Sequence, residues 1–511
     1  PSGRPDMTAP ADRDRVLDRY TKHVNKSLAS LARLVAAPVE VAAAGSKVRG
    51  SDGHTYLDCG GFGVFLLGHC HPVVVAAVRE QLGRNPLATR LFLNPELAQA
   101  AADLAGITPA GLDYVFLTNS GAEATELGLK LARLAGKRHV IAMHGGFHGK
   151  TLGALSVTGR AQYRDPFGPL LPMVDFVPFG DLAALRAVLT AESVVLLEPV
   201  QAEGGVRLPP DGYLAQVRRA CTAAGAVMIL DEIQSGMGRL GVWWGADLAG
   251  VTPDALLTGK ILGGGVMPVG GVVASARLFA PLNADPLLHS STFAGSPLAA
   301  AAVTATIDAI KSEGLLGRVR ELGPQVRDLA ADAVTAHCSH LVTEVRGQGL
   351  LIGVDFVSAD AATEFLIGLL DEHVIPSYSL NSSNVLRLTP PAILDAADLD
   401  WLGHALTSAA RHASRVVPPP PDPSHPISDP AAFLRRFECA PSSSGCTCLI
   451  NQRARCTKRS PTSSGIRNSA TPSRASPSPR CPRTTLCRTG RSLSGLACCA
   501  GPRRTRSTPA P

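Results

Sequence analysis

No stretch of this 511-residue chain approaches the roughly 20 consecutive apolar residues that cross a bilayer. The N-terminus also lacks the apolar core of a signal peptide. No membrane role is therefore expected. Paired cysteines are missing as well. Cys59, Cys70, Cys221 and Cys338 are scattered through the body without metal or disulfide spacing. The other eight crowd into the end of the chain, where Cys446-Thr-Cys448 and Cys498-Cys499 do not match the two-residue spacing of zinc pairs. No metal site is expected, and scattered reduced thiols point to the cytoplasm.

Acidic residues are scarce in one segment only. Residues 417–511 carry 15 Lys and Arg against 3 Asp and Glu, which leaves 34 basic and 39 acidic groups for the body. The excess of basic charge thus belongs to a Pro/Ser/Arg/Cys-rich tail, and the body is mildly acidic. The tail shows no apolar periodicity apart from 429–437, so it forms no packed core. Two readings stay open for it: a disordered extension, or a frame-shifted read of a GC-rich gene. Aromatic interleaving is absent among its arginines, so no nucleic-acid partner is expected.

Within the body, short apolar runs alternate with helical patterns. Strands are expected at 114–118, 139–143, 174–178, 193–198, 226–230 and 255–258, with helices such as 123–134, 181–189 and 212–223 between them. That alternation predicts an α/β fold with a large, mostly parallel sheet covered by helices on both faces. One helix is expected over 13–34, a hairpin turn at Ser51-Asp-Gly-His54, and a helix over 72–82 after a Gly-rich loop. After Pro297 a long helix and a smaller α+β portion follow, with helices at 315–336, 361–371 and 396–411 and strands at 341–345, 350–356 and 385–388. The expected division is an N-terminal segment 1–74, a large domain 75–304, a small C-terminal domain 305–416 and the tail 417–511.

Two residues stand out. Asp231 follows the apolar run Ala226-Val-Met-Ile-Leu230, and Lys260 follows Asp254-Ala-Leu-Leu-Thr-Gly259. Both fall at the C-terminal edge of expected strands, where ligands of open α/β sheets collect. A lysine there can form a Schiff base, and a carboxylate can hold a pyridine nitrogen protonated. Together they point to pyridoxal 5′-phosphate chemistry. Taken alone, Lys260 reads as a surface residue of a Gly-rich loop and Asp231 as the cap of a turn.

Other motifs fit that chemistry. Asn119-Ser-Gly-Ala-Glu-Ala124 lies between a strand and a helix, so Ser120, Gly121 and Ala122 can cup a phosphate. Ser120 and Glu123 equally fit a capping box, and the two roles are compatible. Phe147, in Phe147-His-Gly149, can cover a flat ring, although a lone Phe more often belongs to a core. Glu203, in Glu198-Pro-Val-Gln-Ala-Glu203, and Arg387 make a possible charge switch. With Glu203 on Arg387 an amine-only donor can enter; with Glu203 away, Arg387 can grip a carboxylate bidentately. Each is otherwise an ordinary salt-bridge former.

Taken with Leu230-Asp-Glu-Ile-Gln-Ser-Gly-Met-Gly-Arg239, Gly259-Lys-Ile-Leu-Gly-Gly-Gly265 and Ser290-Ser-Thr-Phe-Ala-Gly295, these motifs make the body, over about residues 15–415, resemble the class III (subgroup II) pyridoxal-phosphate aminotransferases of fold type I. The resemblance implies Lys260 as the Schiff-base lysine, Asp231 on the ring nitrogen and Gln234 beside the ring hydroxyl. It further implies His148 and Glu198 among the cofactor-binding residues, and Thr292 reaching the phosphate of a neighbouring subunit, hence a homodimer. Within the class the chain looks most like the putrescine (diamine) branch. Phe147-His-Gly-Lys-Thr-Leu-Gly153, Pro166-Phe-Gly-Pro-Leu-Leu-Pro172, Leu208-Pro-Pro-Asp-Gly-Tyr213 and Gly263-Gly-Gly-Val-Met-Pro268 carry that likeness. Ornithine and acetylornithine aminotransferases generally have Arg where Lys150 stands, and Lys150 cannot reproduce its fork. Ala202, Ala294, Ser296 and Thr389 depart from the pattern.

The expected activity is transfer of a diamine's terminal amino group to 2-oxoglutarate by a ping-pong mechanism, giving an amino-aldehyde and glutamate. The alternative is ornithine or acetylornithine δ-transamination. An aminomutase on the same fold and a non-catalytic interaction protein are the remoter rivals.

Overall fold

The computed structural model describes residues 12–89 and 91–417. The chain divides into two compact units, Pro1–Asp422 and Pro423–Pro511, and the described residues belong to the first. The expectations for the first eleven residues and for the tail lie outside the described residues.

Near the N-terminus, strands β1 (Glu40–Ala44), β2 (Lys47–Gly50) and β3 (Thr55–Asp58) pair antiparallel. The single helix expected over 13–34 is instead broken. Helices Arg13–Arg19 and Lys26–Leu34 flank a π-turn, Tyr20–Val24, and Asn25 between them is extended. The Asn25 side chain accepts the N–H of Leu28 at 3.0 Å. An asparagine capping a new helix competes well with continuing the old one.

The central sheet has seven strands: β4 (Tyr114–Thr118), β5 (His139–Met143), β6 (Val174–Val177), β7 (Ser193–Leu197), β8 (Val227–Asp231), β9 (Ala255–Thr258) and β10 (Gly270–Ala274). Their spatial order is β4-β10-β9-β8-β7-β5-β6. The pairs among β5 to β9 are parallel, whereas β10 runs antiparallel to both β4 and β9. Strands β7 to β10 are buried at every position. Alternate side chains enter different cores: Val195, Leu197, Met228 and Leu230 join one apolar cluster, and Val194, Leu196, Val227 and Ile229 the other. Period-two alternation into two helix-covered faces explains why these strands read as unbroken apolar runs.

The antiparallel β10 is an addition to the sequence reading. Its first residue, Gly270, cannot carry a side chain, since a Cβ there would lie 2.5 Å from the Ser120 carbonyl oxygen. Two glycines at the start hid the strand, and their smallness is what lets it pass behind the Ser120 turn.

The C-terminal portion contributes β11 (Val342–Gln348), β12 (Leu351–Phe356), β13 (Val374–Ile375), β14 (Ser377–Ser379) and β15 (Ser382–Leu388). Four of these form a sheet in the order β11-β12-β15-β14, while β13 crosses to pair parallel with β3. Among the described residues no helix is long and apolar enough to cross a membrane.

Candidate active site

Because β4 and β9 both run antiparallel to β10, the C-terminal ends of β4, β5, β7, β8 and β9 share one edge of the sheet. Asp231 at the end of β8 and the segments that follow the other strands, with Ser120, Phe147, Glu198 and Lys260, lie at this edge, so the topology gathers residues 140 positions apart.

Asp231 is the last residue of β8 and is 3% exposed. Its Oδ1 accepts the N–H of Ile233 at 3.1 Å, and its Oδ2 pairs with His148 Nδ1 at 2.7 Å. Burial by itself would push the His148 imidazolium down. The Asp231 hydrogen bond and charge, with Glu198 adding, instead raise the ring above the ordinary histidine value. The opposite ring nitrogen, Nε2, is buried without a partner. Glu198 is buried as well, and Oε1 accepts the Phe147 N–H at 3.0 Å while Oε2 accepts that of Ala202 at 3.3 Å. Desolvation pushes its carboxyl up to about 7, the cationic His148 opposing and Asp231 assisting.

Lys260 follows β9 with φ +45, a left-handed conformation uncommon for a side-chain-bearing residue. Its amine is held below the usual lysine range by desolvation. Glu203, Arg387, Asp231 and Glu198 are the charges that act on it, so these five groups converge. Desolvation enlarges the neutral, nucleophilic fraction of the amine.

Ser120 caps the helix Gly121–Leu134, its Oγ accepting the Glu123 N–H at 3.2 Å. The capping box is not reciprocal. The Glu123 carboxylate accepts the backbone N–H of Asn119 at 2.6 Å, one residue before the cap. The first-turn N–H groups of Gly121 and Ala122 have no intrahelical acceptor and carry the positive end of the helix dipole. A Cβ on Gly259 would come within 3.4 Å of Gly121 Cα, which sets the lysine loop against this helix start. Gln234 is buried with neither amide atom hydrogen-bonded among the described residues. A Cβ at Gly63 would lie 2.0 Å from its Nε2, and the φ of +72 at Gly63 favours glycine there. Phe147 is half-buried.

Arg387 lies in β15 and is 2% exposed. Its Nη2 pairs with Glu203 Oε1 at 2.8 Å and donates to the Tyr378 carbonyl at 3.0 Å, while Nε and Nη1 have no partner among the described residues. Lys150 is exposed, its ammonium 4.5 Å from the centre of the Tyr163 ring. Thr292 is also exposed, and its neighbour Ser291 accepts from the Asn119 side chain at 2.8 Å.

Three participants escaped the sequence reading. Arg239 is fully buried and donates to the carbonyls of Gly63, Leu350 and Pro390, which ties the Gly-rich loop to the segment after Arg387. Its charge faces no hydrogen-bonded carboxylate, and desolvation lowers it to about 9. Leu380 and Asn381 form a turn against Glu203. An arginine among glycines was the only signal for the first, and the turn left none.

The chain is similar to known proteins in both sequence and fold. Residues 33–410 match the family described as Aminotransferase class-III. The ornithine aminotransferase from Toxoplasma gondii is 28% identical, covers 80% of this chain and 99% of its own, and superposes with a TM-score of 0.70. For the ornithine delta-aminotransferase of Plasmodium falciparum the values are 25%, 79%, 100% and 0.68. For a thermostable (S)-enantioselective omega-transaminase from Thermomicrobium roseum they are 26%, 79%, 99% and 0.72.

Proposed function

The chain belongs to the class III aminotransferases, and from that premise we propose that it moves the terminal amino group of a diamine to 2-oxoglutarate, giving an amino-aldehyde and glutamate. That the enzyme is a pyridoxal-phosphate transaminase of fold type I follows from the family and the fold. The donor, the acceptor and the residue roles are our reading.

The residues fit the cofactor. Ser120, Gly121 and Ala122 would hold its phosphate, Asp231 its ring nitrogen and Gln234, with two unpartnered amide atoms, its ring hydroxyl. Phe147 would cover the ring, His148 would support Asp231 through their 2.7 Å contact, and Glu198 would hold the Phe147 backbone N–H. Lys260 would bond to the aldehyde. When bound, pyridoxal phosphate supplies an aldehyde for amines and an electron-withdrawing ring that stabilises negative charge on the donor carbon. Lys260 Nζ, whose hold on its own proton desolvation weakens, would take the proton from that carbon as general base and later give it up as general acid. His148, paired with Asp231 Oδ2 at 2.7 Å, would hold that carboxyl group in place for the ring nitrogen.

The observation that carries the donor assignment is the buried 2.8 Å pair between Glu203 and Arg387. In this state Arg387, the guanidinium that acts on Lys260 among the described residues, is paired, so the site accepts an amine end that bears no carboxylate. Release of Glu203 then offers Arg387 to 2-oxoglutarate. Lys150, in place of an arginine, favours a donor without an α-carboxylate. A second reading, ornithine or acetylornithine as donor, draws on the names of the similar Toxoplasma and Plasmodium enzymes and on two cations, Lys150 and Arg160, that flank the Tyr163 ring.

A homodimer belongs to the same proposal. Leu91, Phe92 and Leu93 are 93, 80 and 99% exposed, and exposed Thr292 would complete the partner's phosphate site. The four body cysteines are unpaired, in keeping with a reducing cytoplasm. Steady-state rates with putrescine, ornithine and acetylornithine, each with 2-oxoglutarate, test the donor. The highest kcat/KM is expected for putrescine, and a higher value for ornithine moves the assignment to the second reading.

A further inference from the structure

We propose that the turn between β14 and β15 is the seat that sets how readily Glu203 leaves Arg387, and that Asn381 is the positioning residue that holds this seat. The inference rests on the reading of Arg387 as the carboxylate-binding group. Both oxygens of Glu203 are engaged: Oε1 by Arg387 Nη2 at 2.8 Å, and Oε2 by the backbone N–H of Leu380, also at 2.8 Å. The Glu203 carbonyl in turn accepts the Asn381 N–H at 2.9 Å.

The turn itself is pinned from two sides. Asn381 Nδ2 donates to the carbonyls of Gly145 and Gly146, both at 2.9 Å, directly before Phe147. The Leu380 carbonyl accepts from the Tyr163 hydroxyl at 2.8 Å and from the Arg160 guanidinium. A seat anchored in this way does not follow the carboxylate when it moves. Departure of Glu203 therefore loses two charge-assisted bonds. An incoming substrate carboxylate replaces the one on Arg387, and nothing on the substrate replaces the one from Leu380. The Leu380 N–H thus biases the site toward the state that admits amine-only ligands. The apparent affinity for a carboxylate is lowered by the fraction of molecules in which Arg387 is free.

The sign of the effect separates this from a merely structural role. A loosened active site binds every ligand less well, whereas a weakened seat binds carboxylates better. The test is calorimetric binding of glutarate, a dicarboxylate with neither amino nor keto group, to the holoenzyme and its variants. Asn381→Ala is expected to tighten glutarate roughly tenfold, since a hydrogen bond to a charged group is worth about that factor. The KM for 2-oxoglutarate should fall in parallel. Tyr163→Phe, which removes one hold on Leu380, should shift glutarate in the same direction by a smaller factor, and serves if Asn381→Ala does not fold. Arg387→Lys is expected to weaken glutarate at least tenfold. Unchanged or weaker glutarate binding in Asn381→Ala and Tyr163→Phe, with the Arg387→Lys loss intact, overturns the seat and leaves the reading of Arg387 standing. Unchanged binding in Arg387→Lys removes that reading and the seat with it.

Discussion

Glu198→Gln should make the chain's stability cross that of the wild type as pH rises. The Glu198 carboxyl is buried and pushed up to about 7 by desolvation, from an ordinary value of 4.5. Between those values the folded chain holds a proton that the unfolded chain has released. Its contribution to stability is therefore fully present below pH 4.5 and is lost as pH rises through 7. At about 1.4 kcal/mol per pH unit, the whole window costs about 3 kcal/mol. Glu232, likewise buried and pushed up to about 7 by desolvation against the opposing hydrogen bonds from Ser235, Gly245 and Ala246, makes a similar loss. Glutamine at 198 removes the first loss and keeps the second. It also forfeits one acceptor, because an amide nitrogen cannot accept the N–H of Phe147 or Ala202, at a cost of about 1–2 kcal/mol. The variant should thus be less stable by about 1–2 kcal/mol at pH 4.5 and more stable by a similar amount at pH 8. Urea denaturation of the holoenzyme and the variant across that range measures the difference. A stability difference independent of pH would refute the assignment of a buried, titrating carboxyl at this position.

Three further outcomes are expected. Lys260→Ala should abolish turnover while cofactor remains bound without a covalent link, which absorbance before and after gel filtration would reveal; full activity in this variant removes Lys260 from the chemistry. Asp231→Asn leaves His148 without its anionic partner, and kcat should fall roughly a hundredfold, on the order of 3 kcal/mol of lost charge stabilisation; a change under threefold would contradict the role. Gly63→Ala sets a Cβ 2.0 Å from Gln234 Nε2 at a backbone φ of +72, so the midpoint of thermal denaturation should drop by an amount equivalent to roughly 1–3 kcal/mol, with weaker cofactor binding. Wild-type behaviour in both measurements would mean that Gln234 has freedom to move.

Much of the large sheet was legible because it is buried on both faces. Val194 to Leu197 and Val227 to Leu230 are apolar at every position, a pattern that only a helix-covered parallel strand requires. Strand β10 was not legible, since Gly270 and Gly271 suppress the residue types by which strands are known. The pairing of Val374 with Leu57 spans more than three hundred residues, and no local pattern encodes such a distance. The break at Asn25 could have been seen. Asparagine three residues before Leu28 is a cap signal, but the apolar period continues through it and outweighed it.

The active site divides along the same physical line. Lys260, Asp231, Ser120 and Glu203, in the roles proposed for them, would act through side chains in short contiguous motifs near strand ends, and such motifs survive as text. Arg239 and Asn381 act on backbone carbonyls, and Leu380 acts through its own N–H, which every residue but proline possesses. A main-chain donor leaves no trace in residue identity, however much the site depends on where it points. The Glu203–Arg387 pair shows the consequence. Its two charged members could be proposed from sequence as a switch, yet the sequence contained nothing about how firmly that switch is held. That quantity is set by a backbone N–H of a turn 177 residues along the chain from Glu203. Donor preference in a transaminase of this design is therefore expected to respond to substitutions in the β14–β15 turn that touch neither substrate nor cofactor.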